Sequence, residues 1–201
     1  MRPATTRRSS YPEATGGPAA GRCRCGALGG MNTTGSNATA IPRLGHYTID
    51  TSRSSIAFTS RHFFNLLPVH GTFGIRAGTV EVAEPLSESS VRVEVDAGSI
   101  SSGNEQRDAA VRSAKFLDTD RRPLFTFVSE RVDTTTVSGT LTACGVERPV
   151  SLSIVRSEVA EETFTVRATA RIDRTDFGIT AARAMAGRVL DLTLEATCVR
   201  R

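Results

Sequence analysis

Short segments in which apolar and polar residues alternate fill this chain from Tyr47 to Cys198. In Val91–Asp96 and again in Val166–Ile172, every second residue is apolar. This period of two is typical of β-strands that turn one face to a dry interior and the other to water. The pattern predicts an antiparallel barrel, and it places the functional part of the protein in the interior of that barrel.

Clusters of Gly, Pro, Asp and Asn divide the pattern into nine strand segments. The segments fall near residues 46–51, 54–62, 69–83, 90–97, 123–131, 136–143, 149–157, 163–173 and 188–198. They are enough to close a barrel of about eight strands. We therefore expect an all-β fold.

Residues 104–117 interrupt the strands and predict one short helix. Asn104 suits the N-cap, Glu105 suits the first turn, and Val111 lies on an apolar side. We expect this helix to lie over one mouth of the barrel. The connection from Phe63 to Pro68 is too apolar for an ordinary solvated loop, and we expect it over the opposite mouth or at its lip.

The apolar phase of each strand defines a predicted inward face. Its members are Ile56, Phe58, Phe73, Val91, Val93, Phe125, Phe127, Leu141, Val150, Leu152, Ile154, Val166, Ala168, Ala170, Leu190, Leu192 and Leu194. Two interpretations follow, because these side chains can fill the barrel themselves or can leave an open bore beside the small residues Ala168, Ala170, Gly71 and Gly139. Periodicity alone favours the filled barrel, since every barrel has an apolar inner face.

The length of 201 residues fits one domain with an added tail. Residues 1–45 are rich in Gly, Ala, Thr, Ser and Pro, and we expect them to be disordered, with the barrel domain over 46–201. Met31 is an alternative start. Arg7 and Arg8 are followed by no apolar stretch of the length that export requires, so we expect no cleaved signal and a cytoplasmic protein.

The charge pattern argues against a nucleic-acid partner. The net charge is +4, and Lys115 is the only lysine among the basic residues. The arginines are interspersed with acidic residues, whereas a nucleic-acid site needs clustered charge with stacking aromatics. No apolar run reaches the ~20 residues of a membrane helix, so we expect a soluble protein.

The cysteines and histidines predict no metal site. Cys23 and Cys25 have no second pair to complete a ligand set, and Cys144 and Cys198 are expected to be free thiols in a reducing compartment. His46, His62 and His70 lack metal-ligand spacing.

A catalytic site is not predicted either, and neither is a cofactor. No nucleophile motif and no phosphate-binding glycine loop occurs. An enzyme would have to use Asp173 with Asp176, or His62 with a carboxylate, as its acid and base. Those two aspartates are more simply explained as a loop that caps its own backbone amides.

Several strings in a fixed order carry a resemblance to a known family. They are Tyr47–Asp50, Ser55–His62, Gly71–Phe73, Arg107–Asp108, Phe116–Asp118, Pro123–Phe127, Gly139–Val150 and Arg174–Ile179. With this order and spacing the chain resembles the YceI-like family over residues 46–198. Gly139–Val150 and Arg174–Ile179 are the most distinctive strings.

The resemblance implies an extended lipocalin-like barrel whose apolar pore holds a polyisoprenoid chain or an isoprenoid quinone. It also implies a binding protein and not an enzyme, and many members are periplasmic. His62, Phe58, Phe73 and Phe127 match positions of the family pattern. The predicted pore-lining residues are Ile56, Phe58, His62, Phe73, Phe125, Phe127, Leu141, Leu152, Val166, Ala168 and Leu192.

Two departures from the family pattern are visible. Ala110-Val111 stands where the family often has His-Leu, so a polar role there is absent. Arg76 stands where the family often has an apolar residue, which puts the pore shape or the outer face near that strand in question.

The leading hypothesis is a carrier that encloses an isoprenoid lipid without catalysis. Arg107 and Arg112 are candidates for binding an anionic head group at the helix mouth, although for Arg107 a structural pair with Asp108 or another carboxylate is slightly favoured over that role. One alternative is an isomerase-type or cyclase-type enzyme on the same barrel. Another is a filled barrel that binds a protein partner through the apolar Phe63–Leu67 loop. The sequence leaves the oligomeric state open, with a two-fold dimer as one alternative, since barrels with exposed edges or long strands often pair.

Overall fold

The structure, a computed structural model, describes residues 40–62, 67–182 and 186–201, without the side chains of His62 and Leu67. The chain divides into two units, Met1–Gly35 and Ser36–Arg201, and the fold is that of the second. Of the tail predicted over residues 1–45, most lies outside the described residues, and Gly45 already begins the first strand. Among the described helices, none has the length and apolar character needed to span a bilayer.

Nine antiparallel strands and one α-helix make up the described chain. The strands are β1 Gly45–Ile49, β2 Ser55–His62, β3 Leu67–Val82, β4 Ser90–Ser101, β5 Leu124–Val132, β6 Thr136–Ala143, β7 Val146–Val159, β8 Thr163–Asp173 and β9 Val189–Arg200. Helix α1 spans Glu105–Arg112. Short 3₁₀ turns lie at Leu86–Glu88 and Arg174–Phe177.

The strands close into a barrel with eight positions. Seven positions hold one strand each, and β1 and β2 share the eighth, because both pair with β3 on one side and with β9 on the other. The order around the ring is β3, β2, β9, β8, β7, β6, β5 and β4, and pairing of β4 with β3 closes it. The expected barrel of about eight strands is thus confirmed.

A short turn between β1 and β2 is bridged by Thr197 of β9. The Asp50 amide donates to the Thr197 carbonyl oxygen at 2.8 Å, and the Thr197 amide donates to Ser54 Oγ at 2.9 Å. Ser52 Oγ donates to the Asp50 carboxylate at 2.6 Å and tightens the turn. Because β9 keeps its hydrogen bonds through the break, two short strands act as one wall of the barrel.

Helix α1 begins where the sequence predicts. The Asn104 side chain accepts a hydrogen bond from the Arg107 amide at 2.9 Å, as an N-cap residue does. The helix ends at Arg112, earlier than predicted, because Ser113 caps the last turn by donating from Oγ to the Ala110 carbonyl at 2.6 Å. Val111 faces the barrel mouth beside Phe58 of β2, so the helix covers that mouth.

β-Bulges shift the inward phase of three strands. In β3 the register slips between Ile75 and Ala77, so that Gly78 takes the inward phase and Arg76 stays exposed at the bulge. Similar shifts occur in β5 between Ser129 and Arg131 and in β7 between Ile154 and Arg156. Each bulge adds local twist, which helps a sheet of long strands to close. The unusual Arg76 therefore points away from the interior.

Of the connection expected at the mouth opposite the helix, residues 63–66 lie outside the described residues. The strands that flank them, β2 and β3, end at the mouth covered by α1, since Ser60 and Val69 line the same cavity as Val111. The opposite mouth is bordered by Ala40, Leu86 and Asp133.

Candidate functional site: an apolar bore

Three cavities follow one another through the barrel. The upper cavity lies beneath α1 and has a volume of about 250 Å³. The middle cavity has a volume of about 160 Å³, and the lower cavity, at the opposite mouth, has about 150 Å³. Leu190 borders the upper and middle cavities, and Leu194 borders the middle and lower ones. The cavities together form an elongated bore along the barrel axis.

The walls of this bore are hydrocarbon. Valine, leucine, isoleucine and phenylalanine make up most of the lining of the lower and middle cavities and half of the lining of the upper one. An apolar cavity of about 150 Å³ stays dry and takes up apolar guests, because water there would lose its hydrogen bonds. The bore is therefore suited to an apolar ligand and poorly suited to a polar one.

Inward side chains remain partly exposed, which shows that they do not fill the barrel. Leu141, Leu152, Val166 and Leu192 all point inward, yet each is only half-buried. In a filled core such residues would be fully covered by their neighbours. Of the two interpretations that the periodicity left open, the structure shows the open bore.

The predicted pore-lining residues are distributed over all three cavities. Phe58 lines the upper cavity, and Val166 and Ala168 line the lower one. The middle cavity is lined by Ile56, Phe73, Phe125, Phe127, Leu141, Leu152 and Leu192. His62 ends β2, and its side chain is outside the described part of the structure. Contact of any of these residues with a ligand stays a prediction.

Two of the glycines considered for the bore do not widen it. The ring of Phe58 lies directly over Gly71, where a Cβ would overlap it. At Gly139 a Cβ would overlap the carbonyl oxygen of Val128, so this glycine permits a close approach of neighbouring backbone. Neither residue lines a cavity, whereas Ala168 does. Open space in the bore therefore comes from Ala168 and from the curvature of the sheet.

Loop residues that sequence reasoning missed close the upper half of the bore. Arg174, Phe177 and Ile179, in the segment after β8, line the middle cavity together with Leu117. Arg174 is buried, and its guanidinium donates to three carbonyl oxygens, those of Ile179, Ala186 and Gly187, at 2.7, 3.1 and 2.8 Å. The distinctive string Arg174–Ile179 was the signal available in the sequence, and its explanation as a loop that caps its own backbone amides did not include a role for this arginine in the bore.

The two arginines proposed to bind a head group are both engaged with the backbone. Arg107 lines the upper cavity, and it donates from Nε to Ser102 Oγ and from Nη2 to the Ser102 carbonyl, both at 2.7 Å. Arg112 donates to the carbonyls of Gly98 and Ile100 at 2.8 Å and lines none of the three cavities. Arg107 is thus the one of the pair that adjoins the bore, while Arg112 fastens α1 to β4.

A buried carboxylate lies beside these two arginines. Asp108 is 5% exposed, and it accepts hydrogen bonds from the Ser102 amide at 3.0 Å and from Ser102 Oγ. Burial acts to raise the pKa of Asp108, but the bonds from Ser102 and the charges of Arg112 and Arg107 outweigh it, so the pKa lies below its ordinary value. The carboxylate is therefore ionised at neutral pH, and it offsets one of the two positive charges of Arg107 and Arg112.

Residues just before β1 border the lower mouth. Ala40, Ile41 and Pro42 line the lower cavity. Ser157 Oγ donates to the Ala40 carbonyl at 2.7 Å, and Tyr47 Oη donates to the Arg43 carbonyl at 2.8 Å. The bulge in β7 turns Ser157 inward and makes its bond to Ala40 possible. Two side-chain hydroxyls therefore hold this segment against the mouth.

The acidic residues considered for catalysis lie outside the bore. Asp173 accepts hydrogen bonds from the Thr175 amide and hydroxyl, at 2.9 and 2.6 Å, and pairs with Arg188. Asp173 and Asp176 border a groove on the outer surface, and neither lines the three cavities. Among the described residues, no cluster of His, Cys, Asp and Glu has the arrangement of a metal site.

The two cysteines of the barrel are free thiols. Cys198 lines the lower cavity and is 2% exposed, and burial raises its pKa to about 12. Cys144 lies in the turn between β6 and β7, where burial raises its pKa as well. Cys23 and Cys25 are outside the described residues.

The architecture and the bore can now be compared with known proteins. The YceI-like domain family matches residues 47–198, which run from β1 to β9. The chain belongs to the YceI-like family. A UPF0312 protein of Pseudomonas putida (strain GB-1) is 31% identical over 145 residues, which cover 66% of this chain and 74% of the relative. Protein YceI of Salmonella arizonae is 35% identical over 89 residues, or 42% of this chain and 47% of that protein.

Solved structures share the fold of this YceI-like chain. BcnA of Burkholderia cenocepacia superimposes with a TM-score of 0.63 at 18% identity, over 74% of this chain and 98% of BcnA. A structure described as a polyisoprenoid-binding domain from Saccharophagus degradans, implicated in plant cell wall breakdown, gives a TM-score of 0.63 at 15% identity. That match covers 79% of this chain and all of the other (100%). The predicted lipocalin-like barrel and the family resemblance are both confirmed.

Proposed function

We propose that this protein binds a polyisoprenoid lipid, such as a polyprenol or an isoprenoid quinone, inside the bore and carries it without chemical change. The observation that carries this proposal is the row of three apolar cavities bordered by half-buried inward side chains. A polyisoprenoid is long, narrow and almost devoid of hydrogen-bonding groups, as the bore requires. The polyisoprenoid-binding domain from Saccharophagus degradans, which has the same fold, supports this ligand class.

Affinity in such a site comes from burial of the chain. Ligands of this size gain about 0.3 kcal/mol per buried heavy atom, so a chain of ~20 carbons gains about 6 kcal/mol and a chain with ~30 buried carbons gains about 9 kcal/mol. These values correspond to dissociation constants of about tens of micromolar and a few tenths of a micromolar. The wall strands are long enough to surround an extended lipid chain. Strand β4 has 12 residues, and with a strand tilt of about 40° from the barrel axis it spans ~30 Å along that axis. Chain length should therefore dominate affinity.

The head group is proposed to lie in the upper cavity. The lining of this cavity includes the polar side chains of Ser60, Ser102, Arg107 and Asp108. Arg107 can offer a hydrogen bond to a hydroxyl or carbonyl oxygen, while Asp108 beside it offsets its positive charge. A neutral hydroxyl or quinone head fits this balance better than a diphosphate does.

A carrier without catalysis is favoured over an enzyme for a physical reason. Acid–base catalysis needs a titratable group within hydrogen-bond reach of the substrate. Asp173 and Asp176 border an outer groove, and the carboxylate of Asp108 is held by Ser102 and offset by Arg107 and Arg112. The open bore likewise favours lipid binding over the filled protein-interaction module.

Two further proposals concern the setting. We propose that the protein acts in the cytoplasm, where the free thiols Cys144 and Cys198 would stay reduced; cell fractionation with an antibody tests this.

We also propose a two-fold dimer through the outer barrel face, since the strand ring closes on itself and offers an outer face more than an edge. Sedimentation velocity at several concentrations tests the dimer.

Native mass spectrometry of the protein purified under mild conditions from its own host tests the ligand. We expect a bound apolar adduct whose extract shows masses spaced by isoprene units. Protein that arrives without an adduct, and that also fails to take up added long-chain polyprenols and quinones, would contradict the proposal.

A further inference from the structure

We propose that Val93, Leu152 and Leu194 form a collar across the bore that discriminates among isoprenoid chains by length. This inference rests on the proposed function, because it concerns how far a bound chain can reach. The three residues are the ones that line both the middle and the lower cavity, among the residues that the structure describes. The collar therefore stands where one cavity ends and the next begins.

The ring of strands brings these side chains together from three directions. Leu194 comes from β9, Leu152 from β7 and Val93 from β4. In the order around the barrel, one strand separates β9 from β7, and two strands lie in each of the other two intervals. Three side chains spaced almost evenly around the ring narrow the bore from all sides, as a collar does.

The collar is formed by side chains that have room to move. All three residues are half-buried although they point inward, which means that each borders empty space. Val93 is branched at Cβ and has little freedom at χ1, whereas Leu152 and Leu194 can change rotamer. A chain that reaches the collar must turn these two leucines aside before it enters the lower cavity.

The position of the collar sets the length that a ligand chain must have to reach the lower cavity. Leu190 and Leu194 are four residues apart on β9. Because the strand is tilted from the barrel axis, this separation is ~10 Å along the axis. A further four residues lead from Leu194 to Cys198 in the lower cavity, again ~10 Å. At ~1.5 Å per carbon–carbon bond, 10 Å is about two isoprene units. Chains of about 15–20 carbons end in the upper and middle cavities, and longer ones must pass the collar.

A chain that passes the collar gains enough affinity for the difference to be measured. Two isoprene units contain ten carbons. At about 0.3 kcal/mol of binding free energy per heavy atom, their burial raises affinity about 100-fold. A side chain that blocks the collar should remove this gain. Leu194→Phe adds a rigid ring at that point, while Leu192→Phe, two residues along the same inward face, adds the same ring in the middle cavity.

The experiment measures dissociation constants of farnesol, geranylgeraniol and a C40 polyprenol for the wild-type protein and both variants, by competition with a fluorescent polyene. For Leu194→Phe we expect the ratio of long-chain to short-chain affinity to fall about 100-fold. For Leu192→Phe we expect both affinities to fall and their ratio to stay within a few-fold of wild type. Leu152→Ala, which widens the collar, should keep the wild-type preference for long chains. Leu152→Phe replaces Leu194→Phe if thermal unfolding shows that the latter does not fold.

The outcomes separate the collar from the proposed function. A wild-type protein that binds none of the three alcohols contradicts the proposed function itself. A wild-type protein that binds them, together with a Leu194→Phe variant whose length preference matches wild type or the Leu192→Phe control, overturns the collar alone.

Discussion

The thiol of Cys198 reports whether the lower half of the bore is dry. Its side chain is 2% exposed and lines the lower cavity, and desolvation raises its pKa from an ordinary value of about 9 to about 12. Because only the thiolate attacks a disulfide reagent, this shift should slow the reaction strongly at moderate pH.

The size of the effect follows from the two pKa values. At pH 8 the thiolate fraction falls about 1,000-fold when the pKa rises from about 9 to about 12. A more basic thiolate is also a better nucleophile. A rise of three pKa units increases the rate constant of the thiolate itself by a factor of about 20–30. The folded protein should therefore react roughly 40-fold more slowly than a free thiol from the pKa alone, and restricted access can only increase that factor.

The assay uses a protein in which Cys23, Cys25 and Cys144 are replaced by serine, so that Cys198 is the only thiol. A neutral dipyridyl disulfide is added to the folded protein and to the same protein unfolded in urea. We expect the logarithm of the folded rate to rise by one unit per pH unit through pH 10 without levelling. A rate that levels near pH 9, or that agrees with the unfolded rate within a few-fold, would refute a dry cavity at Cys198.

Three further predictions concern stability, and urea unfolding measures each of them. Gly139→Ala should lower the free energy of unfolding by about 3 kcal/mol or more, because the new Cβ would overlap the neighbouring backbone. The control Gly74→Ala places a Cβ no closer than 3.5 Å to any neighbour and should lower it by under about 1 kcal/mol. Equal losses in the two variants would contradict the close backbone approach at Gly139. Asp108→Asn should cost about 1–3 kcal/mol at pH 7. Since the pKa of Asp108 is lowered in the folded state, this stabilisation is present above its ordinary pKa and is lost as the pH falls through the lowered value. The variant and wild type should therefore converge as the pH falls through the lowered pKa of Asp108, and a gap that does not narrow on acidification would count against the assignment. Ser157→Ala should cost about 1 kcal/mol and speed release of a bound polyprenol, because it frees the carbonyl of Ala40; unchanged release would show that this bond does not restrain the lower mouth.

The barrel was predictable because its sequence pattern is local. Outward residues meet water and inward residues meet hydrocarbon, so a period of two marks each strand without knowledge of its partners. The N-cap at Asn104 was predictable for a similar reason, since it depends on residues within one helical turn.

Features that depend on distant contacts were not predictable. The bulge between Ile75 and Ala77 shifts the inward phase of β3, and its place depends on pairing with β4. Gly71 looked like open space until the ring of Phe58, thirteen positions earlier on the neighbouring strand, was seen to lie over it. The buried role of Arg174 was not predictable either, because its carbonyl partners Ala186 and Gly187 are brought to it by the segment that leads into β9.

Whether the bore is open was likewise beyond the sequence. An inward leucine such as Leu141 has the same pattern in a filled barrel and in an open one. The difference lies in the diameter of the ring and in how far opposite side chains reach, which are properties of the whole fold.

The most direct test of an enclosed isoprenoid chain is the set of nuclear Overhauser effects between a bound polyprenol and the methyl groups of the protein. Isotope-filtered spectra of the loaded protein should show contacts from the prenyl methyls to inward residues such as Val93, Leu152 and Leu194. They should show none to Val128 and Val155, which are 43% and 42% exposed and line none of the three cavities. Contacts to Val128 or Val155 without contacts to the inward methyls would place the lipid on the surface and contradict the account.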